Sequence, residues 1–326
     1  MRTDIYFAGY LGDGYTKRGV LWKNGKIEFE SAEANYVSFC DVTVINGDQY
    51  IVGDIIDANV IQKAKLWKNG KMINLIESDR ASYALRIEVV NNRPIILLFE
   101  ENGAKAGFGS IKLWDNGTIT EITKIDQEFT PVDFTYHNGK YYIVGFHFSQ
   151  PQQMTPVLIS GNKIEYLPIP DSLNAMATSL ALVNNEIYVL GTETDIVGNS
   201  HIVYWKNGDR QRLTRPEETG MARRINVLGQ DIYVGGALKF ADNSYEVPTI
   251  WKNGVSKQLS DSDEIGLISD FVFDGEDQHA VGQTTQNSLY KVKYWKNGVS
   301  QELERNSING LPYGLILRIY IDKTNQ

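Results

Sequence analysis

Lys63-Ala64-Lys65-Leu66-Trp67-Lys68-Asn69-Gly70-Lys71-Met72-Ile73 is the stretch on which the fold turns. Two short runs flank an Asn-Gly pair. Both residues of such a pair tolerate positive φ, which the type I′ turn of a two-residue hairpin requires. Trp67-Lys68-Asn69-Gly70 recurs from Trp22, Trp205, Trp251 and Trp295, and Trp114-Asp115-Asn116-Gly117 is a near copy. Midway through the one long gap, from Trp114 to Trp205, lies Leu158-Ile159-Ser160-Gly161-Asn162-Lys163, a degenerate copy without its Trp. The steps between copies are then 45, 47, 45, 46, 46 and 44 residues, and seven such periods account for nearly all of the 326 residues.

A second marker runs in phase. Strand-like segments end in glycine at Gly9, Gly53, Gly145, Gly191, Gly236 and Gly282, with Leu98 in that place in the third copy. Upstream of all but the first glycine stands another turn signal, such as Asn46-Gly47 or Asn138-Gly139. Each repeat therefore reads as four strands, A to D, with tight A–B and C–D turns and variable B–C and D–A connections. Four short antiparallel strands at this period predict a propeller blade. The fold expected is all-β: a seven-bladed β-propeller of four-stranded antiparallel blades, forming one domain over residues 1–326. The chain starts on a B strand and ends on Leu315–Tyr320, which has the pattern of strand A. That segment is expected to close the ring by completing the first blade, so that no sheet edge is left open.

The layout resembles propellers of the kelch and galactose-oxidase type, with glycine ending strand B and Trp later in the repeat. It resembles more closely bacterial proteins with repeated Trp-Lys-Asn-Gly motifs, which are often exported. That resemblance implies the fold, and points to the cell exterior or envelope with a signal removed. Met1-Arg2-Thr3 leads directly into a strand without a basic or apolar leader region, which a cytoplasmic protein would also show.

Composition narrows the function. The chain has 32 Lys+Arg against 40 Asp+Glu, a net charge of −8. Nucleic acid is not an expected partner, since phosphate contacts need clustered cations. No apolar run approaches the ~20 residues of a membrane helix. The one cysteine, Cys40, excludes an internal disulfide and a cysteine-built zinc site. Galactose-oxidase copper chemistry uses a Cys–Tyr crosslink, a further Tyr and two His. Cys40, His147 and His201 fall in three different blades with no paired His, so neither a metal nor any other cofactor is expected.

The repeated Trp is expected to pack half-buried against a neighbouring blade, because recurrence from blade to blade suits structure better than a single site. The inner strands carry more information. Aligned on their turns, they place Asp41, Arg86, Asp133, Ser179, Arg224, Asp270 and Ile316 just before two apolar positions. On a propeller's inner strands these would line the channel mouth. They read either as ion pairs holding the strands together or as a polar ligand site. The B–C and D–A face carries all the length variation, with Tyr10, Asp13, Tyr15, Asp54, Asp57, Glu100, Glu101, Phe146, His147, Glu193, Asp195, Phe240, Asp242 and Tyr245. Loops on a rigid scaffold concentrate binding residues, and acids interleaved with aromatics suit a glycan or a basic protein patch.

The expectation is a monomeric, non-catalytic binding or scaffold propeller with a glycan or protein ligand. Its candidate ligand residues are Asp41, Arg86, Asp133, Arg224, Asp270, Tyr15 and His147, and no catalytic residue is assigned. The alternative is a carbohydrate-active enzyme using Asp41, Asp133 and Asp270, because glycosidases need two carboxylates about 5–10 Å apart. Arginine neighbours are expected to depress those carboxyls, which would make them poor general acids.

Overall fold

A computed structural model describes residues 2–13, 16–31, 34–103, 108–124, 128–150, 153–170, 174–239, 245–260, 264–287, 289–305 and 313–324. The described residues form 28 strands and no helix, so none is long and apolar enough to cross a membrane. The first blade uses β1 (Arg2–Gly12), β2 (Lys17–Lys23) and β3 (Lys26–Ser31), and the second β4 (Val37–Ile45), β5 (Asp48–Ile56), β6 (Gln62–Lys68) and β7 (Lys71–Asn74). The third has β8 (Ser82–Val90), β9 (Arg93–Glu101), β10 (Gly109–Asp115) and β11 (Thr118–Glu121), and the fourth β12 (Thr130–His137), β13 (Lys140–Gln150), β14 (Gln153–Ser160) and β15 (Lys163–Tyr166). The fifth has β16 (Asn174–Val183), β17 (Glu186–Thr194), β18 (Ser200–Lys206) and β19 (Asp209–Arg212), and the sixth β20 (Thr219–Leu228), β21 (Asp231–Lys239), β22 (Glu246–Lys252) and β23 (Val255–Gln258). The seventh has β24 (Ile265–Asp274), β25 (Asp277–Gln286), β26 (Leu289–Lys296) and β27 (Val299–Glu302), after which comes β28 (Tyr313–Thr324).

Seven four-stranded sheets result, each a meander from A to D. This is the seven-bladed β-propeller predicted from the repeat. The first sheet has the order β28-β1-β2-β3, so the C-terminal strand supplies the missing inner strand. Its ladder with β1 runs from Arg2↔Thr324 to Gly12↔Tyr313. The chain groups into two compact units, Met1–Gln127 with Ser269–Gln326, and Glu128–Ile268.

The turn chemistry is as the sequence requires. Asn46 and Gly47 have φ of 53° and 84°, and Asn69 and Gly70 have 49° and 77°. The whole repeated tetrapeptide has a structural task. Lys68 pairs with Asp48 at the start of strand B (3.0 Å) and lies over the Tyr50 ring (5.0 Å). Asn69 donates through Nδ2 to Asp48 (2.8 Å) and accepts the Gln49 N–H at Oδ1 (2.8 Å). Lys23 and Asn24 treat Asp4, Tyr6 and the Ile5 N–H in the same way. Lys252 and Asn253 do so with Asp231, Tyr233 and the Ile232 N–H.

Five of the six tryptophans lie deeper than their position in the sequence suggests, while Trp114 is partly buried as expected. Trp22, Trp67, Trp205, Trp251 and Trp295 are 0–1% exposed, rather than half-buried. They fill the gaps between consecutive sheets, and in two of them the indole N–H reaches across. Trp22 Nε1 donates to the Glu304 carbonyl (2.7 Å) and Trp205 Nε1 to the Pro168 carbonyl (2.8 Å). Both acceptors lie just past strand D of the preceding blade. Trp67 packs edge-on against Phe39 at 4.7 Å, in a cluster that includes Tyr6 and Leu21 of the first blade.

Candidate functional site

Each inner strand whose ladder is described carries a β-bulge. It falls between Phe39 and Asp41, and between Ala84 and Arg86, Pro131 and Asp133, Ala177 and Ser179, and Ala222 and Arg224. The glycine ending strand B faces it in each of these blades but the third, where Leu98 stands opposite Ala84. A Cβ at Gly53 would sit 2.0 Å from the Ser38 carbonyl oxygen, and one at Gly236 would sit 1.9 Å from that of Met221. Where it is present, the glycine lets the inner strand approach closely. The bulge turns two consecutive side chains the same way, which is how Asp41 and its counterparts come to face the neighbouring inner strand.

The bulge also corrects the alignment of the last strand. In β28 the irregularity lies between Ile316 and Arg318, opposite Gly9 and Ala8. Ile316 is a core residue aligned with Phe39, both 0% exposed. The counterpart of Asp41 is Arg318.

In the first unit Asp41 accepts the N–H of Ile87 on the next inner strand (3.1 Å) and that of Val42 (2.8 Å). Asp270 accepts the N–H of Ile319 (3.1 Å) and of Phe271 (2.9 Å). Arg318, 5% exposed, has both carboxylates in reach: Asp270 at 3.6 Å and Asp41 at 4.0 Å. Arg86 donates to the Leu85 carbonyl (2.7 Å). In the second unit Asp133 accepts from the Leu180 N–H (3.2 Å), Ser179 Oγ (3.0 Å) and Arg224 Nη1 (2.8 Å). Burial outweighs the arginines at Asp41 and raises its carboxyl above the usual range, despite Arg318, Arg86 and two N–H donors. This reverses the depression expected from the arginine neighbours.

The remaining candidates lie elsewhere. His147 on β13 stands edge-on to the Tyr166 ring at 5.5 Å, and no contact joins it to the Asp133 group. Tyr15, Phe240 and Asp242 lie outside the described residues. Cys40 donates its thiol to Asp54 (3.7 Å), which is 4% exposed and also accepts the Ala84 N–H (2.9 Å) and the Gln62 amide (3.2 Å). Among the described residues no group of three His, Cys, Asp or Glu could hold a metal ion.

Two features of the B–C/D–A face stand apart from the repeat. In the first unit, Tyr10 and Tyr36 flank Lys17, and Tyr313 and Tyr290 extend the aromatic row away from it. The ammonium lies 4.3 Å from the ring centres of both Tyr10 and Tyr36 and donates to the Tyr36 hydroxyl. Tyr313 meets Tyr10 edge-on at 6.1 Å, and Tyr290 meets Tyr313 at 6.4 Å. Tyr290 is 44% exposed, and Arg305 donates to its carbonyl. Strand ends place all of them: Tyr10 near the end of β1, Lys17 at the start of β2, Tyr36 just before β4, Tyr290 in β26 and Tyr313 at the start of β28. Of the group, only Tyr10 is flagged by the sequence; the rest come from unaligned, variable positions.

In the second unit a cleft of about 410 Å³ opens between the fifth and sixth blades. Ser200, Pro216, Glu217, Met221, Lys239 and Glu246 are among its walls, which carry no aromatic side chain. Its B–C loop is braced by Asp195, which accepts the N–H groups of Val197 (3.0 Å) and Asn199 (2.8 Å).

No protein family and no curated protein matches this chain. Among solved structures, the chain is similar to a crystal structure of puromycin hydrolase, at 10% identity and a TM-score of 0.50, with 83% of this chain and 54% of that one covered. It is similar to a Mycobacterium tuberculosis puromycin-hydrolyzing peptidase at 10% identity and a TM-score of 0.48, over 84% and 54% of the two chains. It also matches the structure of YjhT at 10% identity and a TM-score of 0.43, over 76% and 97%. The chain thus spans about half the length of the two hydrolases, and the likeness concerns the fold alone.

Proposed function

We propose that this chain is a monomeric, single-domain, non-catalytic propeller that binds a glycan on the face formed by its B–C and D–A loops. The observation that carries this reading is the continuous row of Tyr36, Tyr10, Tyr313 and Tyr290, with Lys17 held between the first two. A sugar ring presents a face of C–H groups and an equator of hydroxyls. Tyrosine answers both, with an aromatic face and a phenolic hydroxyl, and it loses little conformational entropy on binding. None of these tyrosines belongs to the repeated tetrapeptide or its strand-B partner set, so the repeat does not account for them.

The finer kinship, with kelch-type and Trp-Lys-Asn-Gly propellers, belongs to this reading too. We assign Asp41, Arg86, Asp133, Arg224 and Asp270 to joining inner strands. Supporting this, the three carboxylates accept backbone N–H groups, and Asp41 and Asp133 reach the strand that follows, as Asp270 reaches β28. A carboxylate whose oxygens already accept backbone N–H groups is a poor nucleophile.

A glycan array beside a broad glycoside-hydrolase screen tests the proposal. The expected result is binding to a defined set of glycans, lost in Tyr290→Ala, with no turnover. Glycoside turnover abolished by Asp133→Asn would replace it with the enzymatic reading.

A further inference from the structure

We propose that the tyrosine site is built for an anionic sugar, with the Lys17 ammonium receiving its carboxylate or sulfate. This rests on the glycan-binding reading above and names its ligand class. Lysines of the repeated motif, such as Lys23, Lys68 and Lys252, each have an acidic partner at 2.7–3.1 Å. Lys17 departs from that pattern. Among the described residues of a chain with 40 Asp+Glu, no carboxylate lies within ion-pair reach of it. Its neighbours are aromatic faces and the hydroxyls of Tyr36 and Tyr10.

An ammonium has three hydrogens to donate. The Tyr36 and Tyr10 hydroxyls take two and leave one, and the side chain is only partly buried. The charge persists at physiological pH. Burial pushes Lys17 down, but the Tyr36 hydrogen bond and the surrounding phenols outweigh it and hold the group above its ordinary value. Aromatic rings on two sides fix the cation in place, so little ordering remains to be done on binding. The arrangement offers a held positive charge beside surfaces suited to a sugar ring.

Titration calorimetry with three probes tests this: a galacturonate oligosaccharide, its fully methyl-esterified counterpart and a sulfated galactan oligosaccharide. The wild-type chain is expected to bind at least one charged probe about tenfold tighter than the ester, the scale of a charge-assisted hydrogen bond. Lys17→Gln should abolish that preference and Lys17→Arg should keep most of it, with thermal melts confirming that both variants fold. Whichever charged probe is preferred identifies the anion. Equal affinity for charged and esterified probes, or a preference that survives in Lys17→Gln, would overturn the inference and leave glycan binding standing. If none of the probes binds and the array is also blank, the glycan reading falls with it.

Discussion

At Asp54 burial and hydrogen bonding pull against each other. Loss of solvation raises its carboxyl, while the Ala84 N–H, the Gln62 amide and the Cys40 thiol lower it. Burial wins, and the group is pushed up to about 7 from 3.8. The fold therefore favours the protonated form. Its contribution to stability is complete below about pH 4 and is lost as pH rises through about 7. A shift of this size corresponds to at most about 4 kcal/mol. Asparagine has the shape of the protonated acid and keeps an acceptor for the Ala84 N–H. Asp54→Asn should therefore be more stable than wild type at pH 8, with the difference shrinking towards pH 5, as followed by urea melts. Equal stability at both pH values would contradict this account. The sequence marks Asp54 as a loop-face acid but gives no sign of its burial. Nothing local distinguishes it from Asp57, whose carboxylate braces an exposed turn through the N–H groups of Asn59 (2.9 Å) and Ile61 (3.0 Å).

The inner strand is the element in which sequence reading and structure part most instructively. Its apolar positions are spaced by three and then two, as in Phe39, Val42 and Val44. A regular strand would alternate by two, so the extra residue is the mark of a bulge, legible once the glycine of strand B is read as its partner. Counting from the turn instead fails in β28, where no turn follows within the described residues. That is why Ile316 is taken for a site position and Arg318 passed over. Arg318 sits buried between Asp41 and Asp270, whereas Arg86 is partly exposed. Removing one partner of a buried ion pair leaves the other charge uncompensated. Arg318→Ala should cost about 3 kcal/mol in chemical denaturation, and more than Arg86→Ala. The reverse order would show that the inner-strand charges are not arranged as described.

Across the whole molecule, period and composition make the blade count and the closing strand legible, because every blade must solve the same packing problem. Buried Trp, positive-φ Asn-Gly and the Lys–Asp–Tyr set recur for that reason. The tyrosine site is not legible in the same way. It is assembled from segments as far apart in sequence as Tyr10 and Tyr313, at positions that no repeat constrains. Closure has its own test. Deleting residues 311–326 removes β28, exposing the inner edge of β1 and taking Ile316 and Ile319 from the cluster around Phe7 and Trp22. A large drop in melting temperature or loss of soluble protein is expected, and an unchanged melt would contradict closure by this strand. The central claim is that repeated residues build the scaffold while the unrepeated tyrosines bind. Its most direct test is the binding isotherm of Tyr290→Ala for the best glycan ligand, read beside its thermal melt. The account predicts a melt like that of wild type and affinity lost by tenfold or more, on the scale of one aromatic anchor. Unchanged affinity in a normally folded variant would contradict it.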